Sequence, residues 1–214
     1  VINRGGENGI CKSTDNGATW IKLCGEINGK NLNIIFIDSN DNLYVMNNND
    51  YKVYRYTPSD NYVTGTVCLD LTEKSQGFGD MQEAPNGYLF FGTYQSAYGI
   101  GGTVYRSIDN GVSFQKVLHV AEVQHVHNIS INKYSNPVEI FVGFDHQDIK
   151  GARCYISKDY GETWENLDVP YRNRDYAFDF CEENLYLGCG EANILGGATL
   201  YKTSNYSDDK LYKT

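Results

Sequence analysis

One short phrase occurs three times in this chain and restricts the folds that it can adopt. The copies are Ser13–Trp20, Ser107–Phe114 and Ser157–Trp164, and they share the pattern Ser-x-Asp-x-Gly-x-(Thr/Ser)-aromatic. An apolar-alternating segment precedes and follows each copy. Because Asp accepts backbone N–H bonds in tight turns and Gly supplies a positive φ, each copy predicts a strand, a turn and a second strand.

The residues that the three copies share are predicted to have structural roles. The closing aromatic ring offers a large apolar surface that locks the hairpin onto a core. Each Asp already serves its turn, so a catalytic pair of these carboxylates is disfavoured. The residues assigned to the turns are Ser13, Asp15, Gly17, Trp20, Ser107, Asp109, Gly111, Phe114, Ser157, Asp159, Gly161 and Trp164.

These three phrases resemble the Asp-box, or BNR repeat, of β-propellers in the sialidase-like superfamily. Proteins related by this motif include sialidases, xyloglucan-degrading enzymes, sortilin-type receptors and a photosystem assembly factor. The resemblance implies a propeller of four-stranded antiparallel blades. It does not choose among those functions, because a fold hosts many different sites.

Weaker copies at Tyr56 and Thr203 complete a repeat of roughly 40–50 residues, as propeller blades require. The sequence therefore predicts one all-β domain over 1–214, with blades at about 1–27 (partial), 28–72, 73–120, 121–170 and 171–214. Because the first blade holds only two strands, we expect a partial propeller, roughly four and a half blades of a six- to eight-bladed ring. The alternative is a closed ring of five blades with an abbreviated first one.

Composition excludes several classes of partner. The net charge of −9 argues against nucleic acid, since neutralising phosphates needs a basic face. No apolar run approaches the roughly 18 residues of a membrane span. The 18 tyrosines suit both strand-rich cores and surfaces that stack on sugars. The six cysteines lack metal-binding spacing and are interpreted as buried thiols rather than disulfides, although Cys11 and Cys24 could pair across the first hairpin.

Loops that enter first strands and leave second strands share one face of a propeller, opposite the repeated turns. Polar groups beside tyrosine rings on that face are what sugar recognition needs. We therefore expect a glycan or a similar polar ligand there. The candidate ligand-binding residues are Tyr94, Gln95, His125, His127, Asp145, His146, Arg172 and Arg174.

His125 and His127 lie two residues apart and should share one strand face, with Asp145 and His146 nearby. Such a group could bind a metal or do acid–base work, or it could only hydrogen-bond across adjacent loops. No ligand spacing is diagnostic, so the sequence assigns no metal and no cofactor. Arg174, beside Asp175, could clamp a carboxylate or form an ordinary surface ion pair.

The sequence permits catalysis, but no motif in it identifies an active site. Resemblance to sialidases implies three arginines that grip the substrate and an Arg-Ile-Pro segment, which this chain lacks. Another glycosidase would need two carboxylates roughly 5–9.5 Å apart. The candidates are Asp80, Asp145, Asp175 and Glu191, which could equally bond loop backbones or face water.

The hypothesis from the sequence is thus a carbohydrate-binding or recognition module at the cell surface or outside the cell. One alternative is a glycoside hydrolase with part of its active site outside this segment. The other is a protein-interaction scaffold.

Overall fold

The computed structural model describes residues 11–22, 32–74, 76–95, 100–145, 153–167, 175–181, 184–190, 199–203 and 212–213, and from residue 175 onward it describes the backbone. The chain folds into two compact units, Val1–Gly77 and Phe78–Thr214. The single-domain boundary remains a prediction.

The first unit contains a hairpin and one four-stranded sheet. Strands β1 (Cys11–Lys12) and β2 (Ile21–Lys22) pair with each other around the first repeated phrase. The sheet runs in the order of its strands, which are β3 (Leu32–Ile37), β4 (Leu43–Asn47), β5 (Lys52–Tyr56) and β6 (Thr66–Asp70). Every residue of β4 is buried, as expected for an inner strand.

The second unit contains three more sheets of the same kind, each antiparallel and each in sequence order. The sheet that follows β6 comprises β7 (Gly77–Glu83), β8 (Leu89–Tyr94), β9 (Gly102–Ser107) and β10 (Gln115–Val120). The next comprises β11 (Val126–Asn132), β12 (Glu139–Phe144), β13 (Arg153–Ser157) and β14 (Glu165–Leu167). The last comprises β15 (Asp175–Cys181), β16 (Asn184–Gly190), β17 (Thr199–Thr203) and β18 (Tyr212–Lys213).

The predicted fold class is confirmed. In the described part of the chain there are four four-stranded meanders, and the only helical segments are short 3-10 turns at Pro58–Asp60 and Thr72–Lys74. Four antiparallel strands in sequence order are the repeating blade of a β-propeller. No helix among the described residues is long and apolar enough to cross a membrane. Cys11, Cys68 and Cys154 form no disulfide among the described residues, and Cys24 lies outside them.

The repeated turn, as we call each of the three phrases, is built from side-chain hydrogen bonds to the backbone. In the second copy Ser107 Oγ donates to Asp109 Oδ1 at 2.7 Å and accepts from the Gly111 amide at 2.9 Å. Asp109 also accepts from the amide and the hydroxyl of Ser113, at 3.0 and 2.6 Å. The same contacts recur around Asp15 and Asp159. The three aspartates therefore act in their turns.

These hydrogen bonds also change the acidity of the aspartates. Bonds from Thr19 hold the pKa of Asp15 at about 2, below its ordinary value of 3.8. Burial alone would raise the pKa of Asp109, but the hydrogen bonds that its carboxylate accepts, including those from Ser113 and Ser107, together lower it below its ordinary value. A pKa lower in the folded than in the unfolded chain stabilises the fold above the unfolded value, and this contribution is lost as pH falls through the folded value.

Two successive residues of each turn have positive φ, whereas the sequence predicted only the glycine. The pairs are Asn16 and Gly17, Asn110 and Gly111, and Tyr160 and Gly161. Asn adopts this conformation readily, but a bulky side chain does so only where other contacts hold it. Tyr160 has those contacts, because Arg106 donates to its carbonyl at 2.7 Å and its ring packs edge-on against Tyr88. Arg106, itself buried, also pairs with Glu162 at 2.8 Å and so ties the β7–β10 sheet to the next repeated turn.

Glycines allow the β7–β10 and β11–β14 sheets to approach closely. A Cβ added at Gly92 would lie 2.5 Å from Val126 Cγ1, and one at Gly79 would lie 2.5 Å from the Val126 carbonyl oxygen. Gly102 is similarly close to the Phe144 ring. No side chain fits in these contacts, so the start of β11 is pressed against the backbones of β7 and β8. The buried core of this region includes Phe90, Val104, Ile129, Ile140 and Val142.

Replacing Asp109 with Ala should destabilise the protein, because one backbone amide and two hydroxyls lose their acceptor. We expect the free energy of unfolding to fall by about 1–2 kcal/mol, as for other turn and capping side chains. Urea denaturation measures this change. Exposed Glu122, between β10 and β11, is the charge-matched control, and an equal loss in Glu122→Ala would contradict the role of the turn.

Gly92→Ala should destabilise the fold by about 1–3 kcal/mol, because the new methyl group collides with Val126. Thermal and urea denaturation of Gly92→Ala, Val126→Ala and the double variant form a cycle that isolates this contact. The double variant should lose less than the sum of the two single losses. Additive losses would show that the two sheets do not touch there.

Candidate functional site

The predicted ligand-binding residues that the structure describes meet at one end of the second unit's sheets. Tyr94 ends β8, His125 precedes β11, and Asp145 follows β12. The repeated turn Ser107–Phe114 joins β9 to β10 and therefore lies at the opposite end of the β7–β10 sheet, because antiparallel strands alternate in direction. These residues are thus separated from that repeated turn.

Three aromatic rings stack at this end of the sheets. The Tyr94 and His125 ring centroids are 4.2 Å apart with an interplanar angle of 37°, and those of His125 and His127 are 4.7 Å apart at 33°. The middle ring is buried, whereas Tyr94 is 45% exposed and His127 is also exposed. The stack therefore presents one tyrosine and one histidine to solvent around a fixed centre.

A β-bulge places His127. Val126 pairs with Phe144, and Asn128 pairs with Gly143, so His127 has no opposite residue on β12. A bulge adds one residue to a strand and redirects its side chain. His125 and His127 lie on one side, as their spacing predicted, while Val126 between them packs against Gly92.

Asp145 is held beside both histidines. Its amide donates to the His125 carbonyl at 3.1 Å, and its own carbonyl accepts from the Gln124 amide at 3.0 Å. Its Oδ2 atom lies 3.8 Å from His125 Nε2 and 3.9 Å from His127 Nε2. Asp145 is only 7% exposed, and its buried Oδ1 atom has no hydrogen-bond partner among the described residues. A buried carboxylate oxygen in this state is costly unless a proton, a cation or a ligand approaches it.

Gln95 orients the central ring. His125 Nδ1 lies 3.0 Å from the backbone oxygen of Gln95. A carbonyl oxygen can only accept, so Nδ1 carries the proton and donates. In the neutral ring the lone pair is then on Nε2, the nitrogen nearest Asp145. Backbone geometry thus selects the tautomer of His125.

Asp80, one of the four candidate catalytic carboxylates, has both oxygens engaged. Its Oδ1 accepts from the Met81 amide and its Oδ2 from the Ile129 amide, each at 2.8 Å. Burial is the main influence on this group and raises its pKa, while the hydrogen bonds oppose the rise. Asp80 joins β7 to β11 and corresponds to the alternative in which a carboxylate bonds the backbone.

The remaining predicted site residues stay predictions. His146, Arg172, Arg174 and Glu191 lie outside the described residues. Asp175 is the first residue of β15, where the backbone alone is described, and pairs in register with Gly190. The arginine clamp and a second catalytic carboxylate are therefore untested.

The sequence did not predict a polar pair at the same end of the β7–β10 sheet. His119 Nδ1 lies 3.0 Å from the Thr103 hydroxyl, and the Thr93 hydroxyl contacts the backbone of Thr103. The sequence also did not predict the packing of Val126 on Gly79 and Gly92. Isolated glycines within strands signal a close backbone approach and could have indicated that contact.

Comparison with known proteins supports the fold. No protein-family model matches the chain, and no curated protein matches it. A GH74 xyloglucanase from Xanthomonas campestris is similar in structure, with a TM-score of 0.60, 16% identity, and coverage of 98% of this chain and 35% of the xyloglucanase. A Hadza microbial sialidase has a TM-score of 0.57 and 12% identity over 92% of this chain and 50% of the sialidase. YCF48 bound to D1 peptide has a TM-score of 0.55 and 14% identity over 91% of this chain and 56% of YCF48.

These structural neighbours are β-propeller proteins, so the chain has a propeller fold. It spans about a third of the xyloglucanase and half of the sialidase. At such identities the likeness extends to architecture, and the function must be argued from the site.

Removing the Asp80 carboxylate should affect stability and leave the ring stack intact. Asp80→Ala strips the buried Ile129 amide of its acceptor, so we expect a loss of about 1–3 kcal/mol in urea denaturation. Asp80→Asn keeps one acceptor oxygen and should lose less. In both variants the NMR signals of the His125 and His127 ring protons should persist unshifted. A shift of these signals without loss of stability would instead place Asp80 in the site.

Proposed function

We propose that this protein binds a carbohydrate or a chemically similar polar ligand where Tyr94, His125, His127 and Asp145 meet. The observation that carries this proposal is the ring stack, which has an exposed tyrosine at one end and a buried carboxylate beside both of its histidines. We also propose that the repeated turns are Asp-boxes, since all three share one set of hydrogen bonds.

The stack offers the two kinds of contact that sugars need. An aromatic face packs against the C–H groups of a pyranose, and Tyr94 is exposed while His125 fixes its ring from behind. Imidazole nitrogens and a carboxylate oxygen bond to hydroxyls. Asp145 has a buried acceptor, and the exposed His127 lies beside the same carboxylate. Rigid strand ends hold all of these groups before a ligand arrives.

Binding is favoured over hydrolysis by the state of the described carboxylates. A glycosidase needs two carboxyl groups flanking the scissile bond. Of the two candidates whose side chains are described, Asp80 has both oxygens bonded to backbone amides, and Asp145 alone faces the rings. Arg106 grips the neighbouring turn, so its guanidinium is committed away from this end. The described residues therefore form one binding group rather than an acid–nucleophile pair. A surface or extracellular location, where glycans are displayed, accords with this proposal.

A protein-interaction surface is the second candidate, supported by a different observation. The repeated turn between β9 and β10 exposes two aliphatic side chains, Ile108 at 57% and Val112 at 60%. One structural neighbour, YCF48, is seen bound to D1 peptide. This candidate would use the end of the sheets opposite the ring stack.

The test is binding of the purified chain to a broad glycan array, followed by mass analysis of each spot. The wild type should be retained on a defined glycan without a change in its mass. Tyr94→Ala should weaken retention roughly tenfold or more, equivalent to about 1.4 kcal/mol, because the stacking surface is lost.

Tyr134→Ala is the matched control, since Tyr134 is also exposed, at 63%, but lies in the turn between β11 and β12, at the other end of that sheet. It should bind as the wild type does. Loss of a terminal sugar on the array would replace the binding module with a glycosidase. Absence of retention, or equal weakening by both substitutions, would overturn the proposal and favour the surface around Ile108 and Val112.

A further inference from the structure

We infer that His125, His127 and Asp145 form a binding site for one divalent transition-metal ion of the zinc type. Two imidazoles and one carboxylate are a ligand set suited to such ions. The inference goes beyond the proposed function, because metal binding can be tested independently of glycan binding.

The three ligand atoms are already near coordinating positions. They all lie within 4.8 Å of one another, with 3.8 and 3.9 Å from Asp145 Oδ2 to the two Nε2 atoms. A tetrahedral ion with bonds of 2.0–2.2 Å requires ligand atoms roughly 3.3 Å apart. Each imidazole–carboxylate separation must therefore shrink by about 0.5 Å, and the two imidazole nitrogens, which are up to 4.8 Å apart, must approach each other by about 1 Å or more. Rotation of the exposed His127 side chain can close most of that gap.

The hydrogen bond from His125 Nδ1 to the Gln95 carbonyl supports coordination through Nε2. Metal-bound histidines almost always donate their other ring nitrogen to a carbonyl or carboxylate, which orients the ring and raises its basicity. Here the donor bond is part of the fold, because Gln95 directly follows β8 and is itself buried.

Charge gives a second, independent reason. In the neutral tautomer the His125 Nε2 lone pair and the Asp145 carboxylate are both acceptors. They lie 3.8 Å apart, and no hydrogen bond joins them. Asp145 Oδ1 is buried without a hydrogen-bond partner among the described residues. A buried carboxylate is ordinarily paired or bound to a metal. A cation bound by these three residues would neutralise the buried carboxylate and accept a lone pair from each imidazole.

Three protein ligands leave a coordination position open. Catalytic and ligand-binding zinc sites have this form, whereas structural zinc sites are closed by four protein ligands. The open position would be filled by water or by an oxygen of a bound molecule.

Zinc alone is the probe for the test. The purified chain is treated with chelator, and Zn²⁺ binding is followed by isothermal titration, with the bound metal counted by mass spectrometry after dialysis. We expect one ion per chain. Asp145→Asn and His127→Ala should each weaken binding by at least about tenfold. Since His127 is exposed, its loss should leave the thermal melting profile in the absence of zinc unchanged, which separates ligand loss from unfolding.

His119→Ala is the control, because His119 is exposed at the same end of the β7–β10 sheet but pairs with Thr103. It should retain the wild-type stoichiometry and affinity. A wild-type chain that binds no zinc at one equivalent would overturn the inference. So would Asp145→Asn and His127→Ala variants that bind as tightly as the wild type. Glycan retention measured with chelator present tests the proposed function separately.

Discussion

The close contact of Val126 with the backbones of Gly79 and Gly92 is the constraint on which the candidate site depends. Val126, at the start of β11, fits there because β7 and β8 have glycines, Gly79 and Gly92, at the positions that face it. The residues on either side of Val126 are His125 and His127, so the same contact delivers both rings to the end of β8. The Tyr94 ring packs on His125, the Gln95 carbonyl lies 3.0 Å from His125 Nδ1, and Asp145 Oδ2 lies within 3.9 Å of both imidazoles. Packing between sheets, rather than any single hydrogen bond, assembles the group.

The acidic residues of the second unit have three different environments, and each environment indicates a different role. In the repeated turns each aspartate accepts hydrogen bonds from a nearby amide and hydroxyl, which lowers its pKa and stabilises a local hairpin. Asp80 accepts amides from two strands and joins their sheets. Asp145 is buried beside two imidazoles with one oxygen left unbonded within the described part of the chain. Because a buried acceptor without a partner costs free energy, the last arrangement is the one that indicates a ligand.

The proposed ligand-binding site and the proposed metal site share the same residues. The exposed faces of Tyr94 and His127 can accept the flat, apolar side of a polar molecule, while Nε2 nitrogens and a carboxylate behind them can hold a cation. The β-bulge at His127 leaves this residue without an opposite residue on β12. Bulges recur near functional sites because they redirect a side chain without disturbing the rest of a sheet.

The sequence by itself determined the strands, their order and the repeated turns, because these follow from alternation and from hydrogen bonds within a few residues. It also placed Tyr94, Gln95, His125, His127 and Asp145 at one end of the sheets, since that placement needs only strand direction. It could not reveal the bulge, the tautomer of His125, the bond from Ile129 to Asp80 or the left-handed Tyr160 beside Arg106. Each of these is decided by atoms from segments about 30 to 54 residues apart or by a register shift, and no local pattern encodes such distances. Only the tertiary structure could show that the ligand atoms of His125, His127 and Asp145 lie within 4.8 Å of one another.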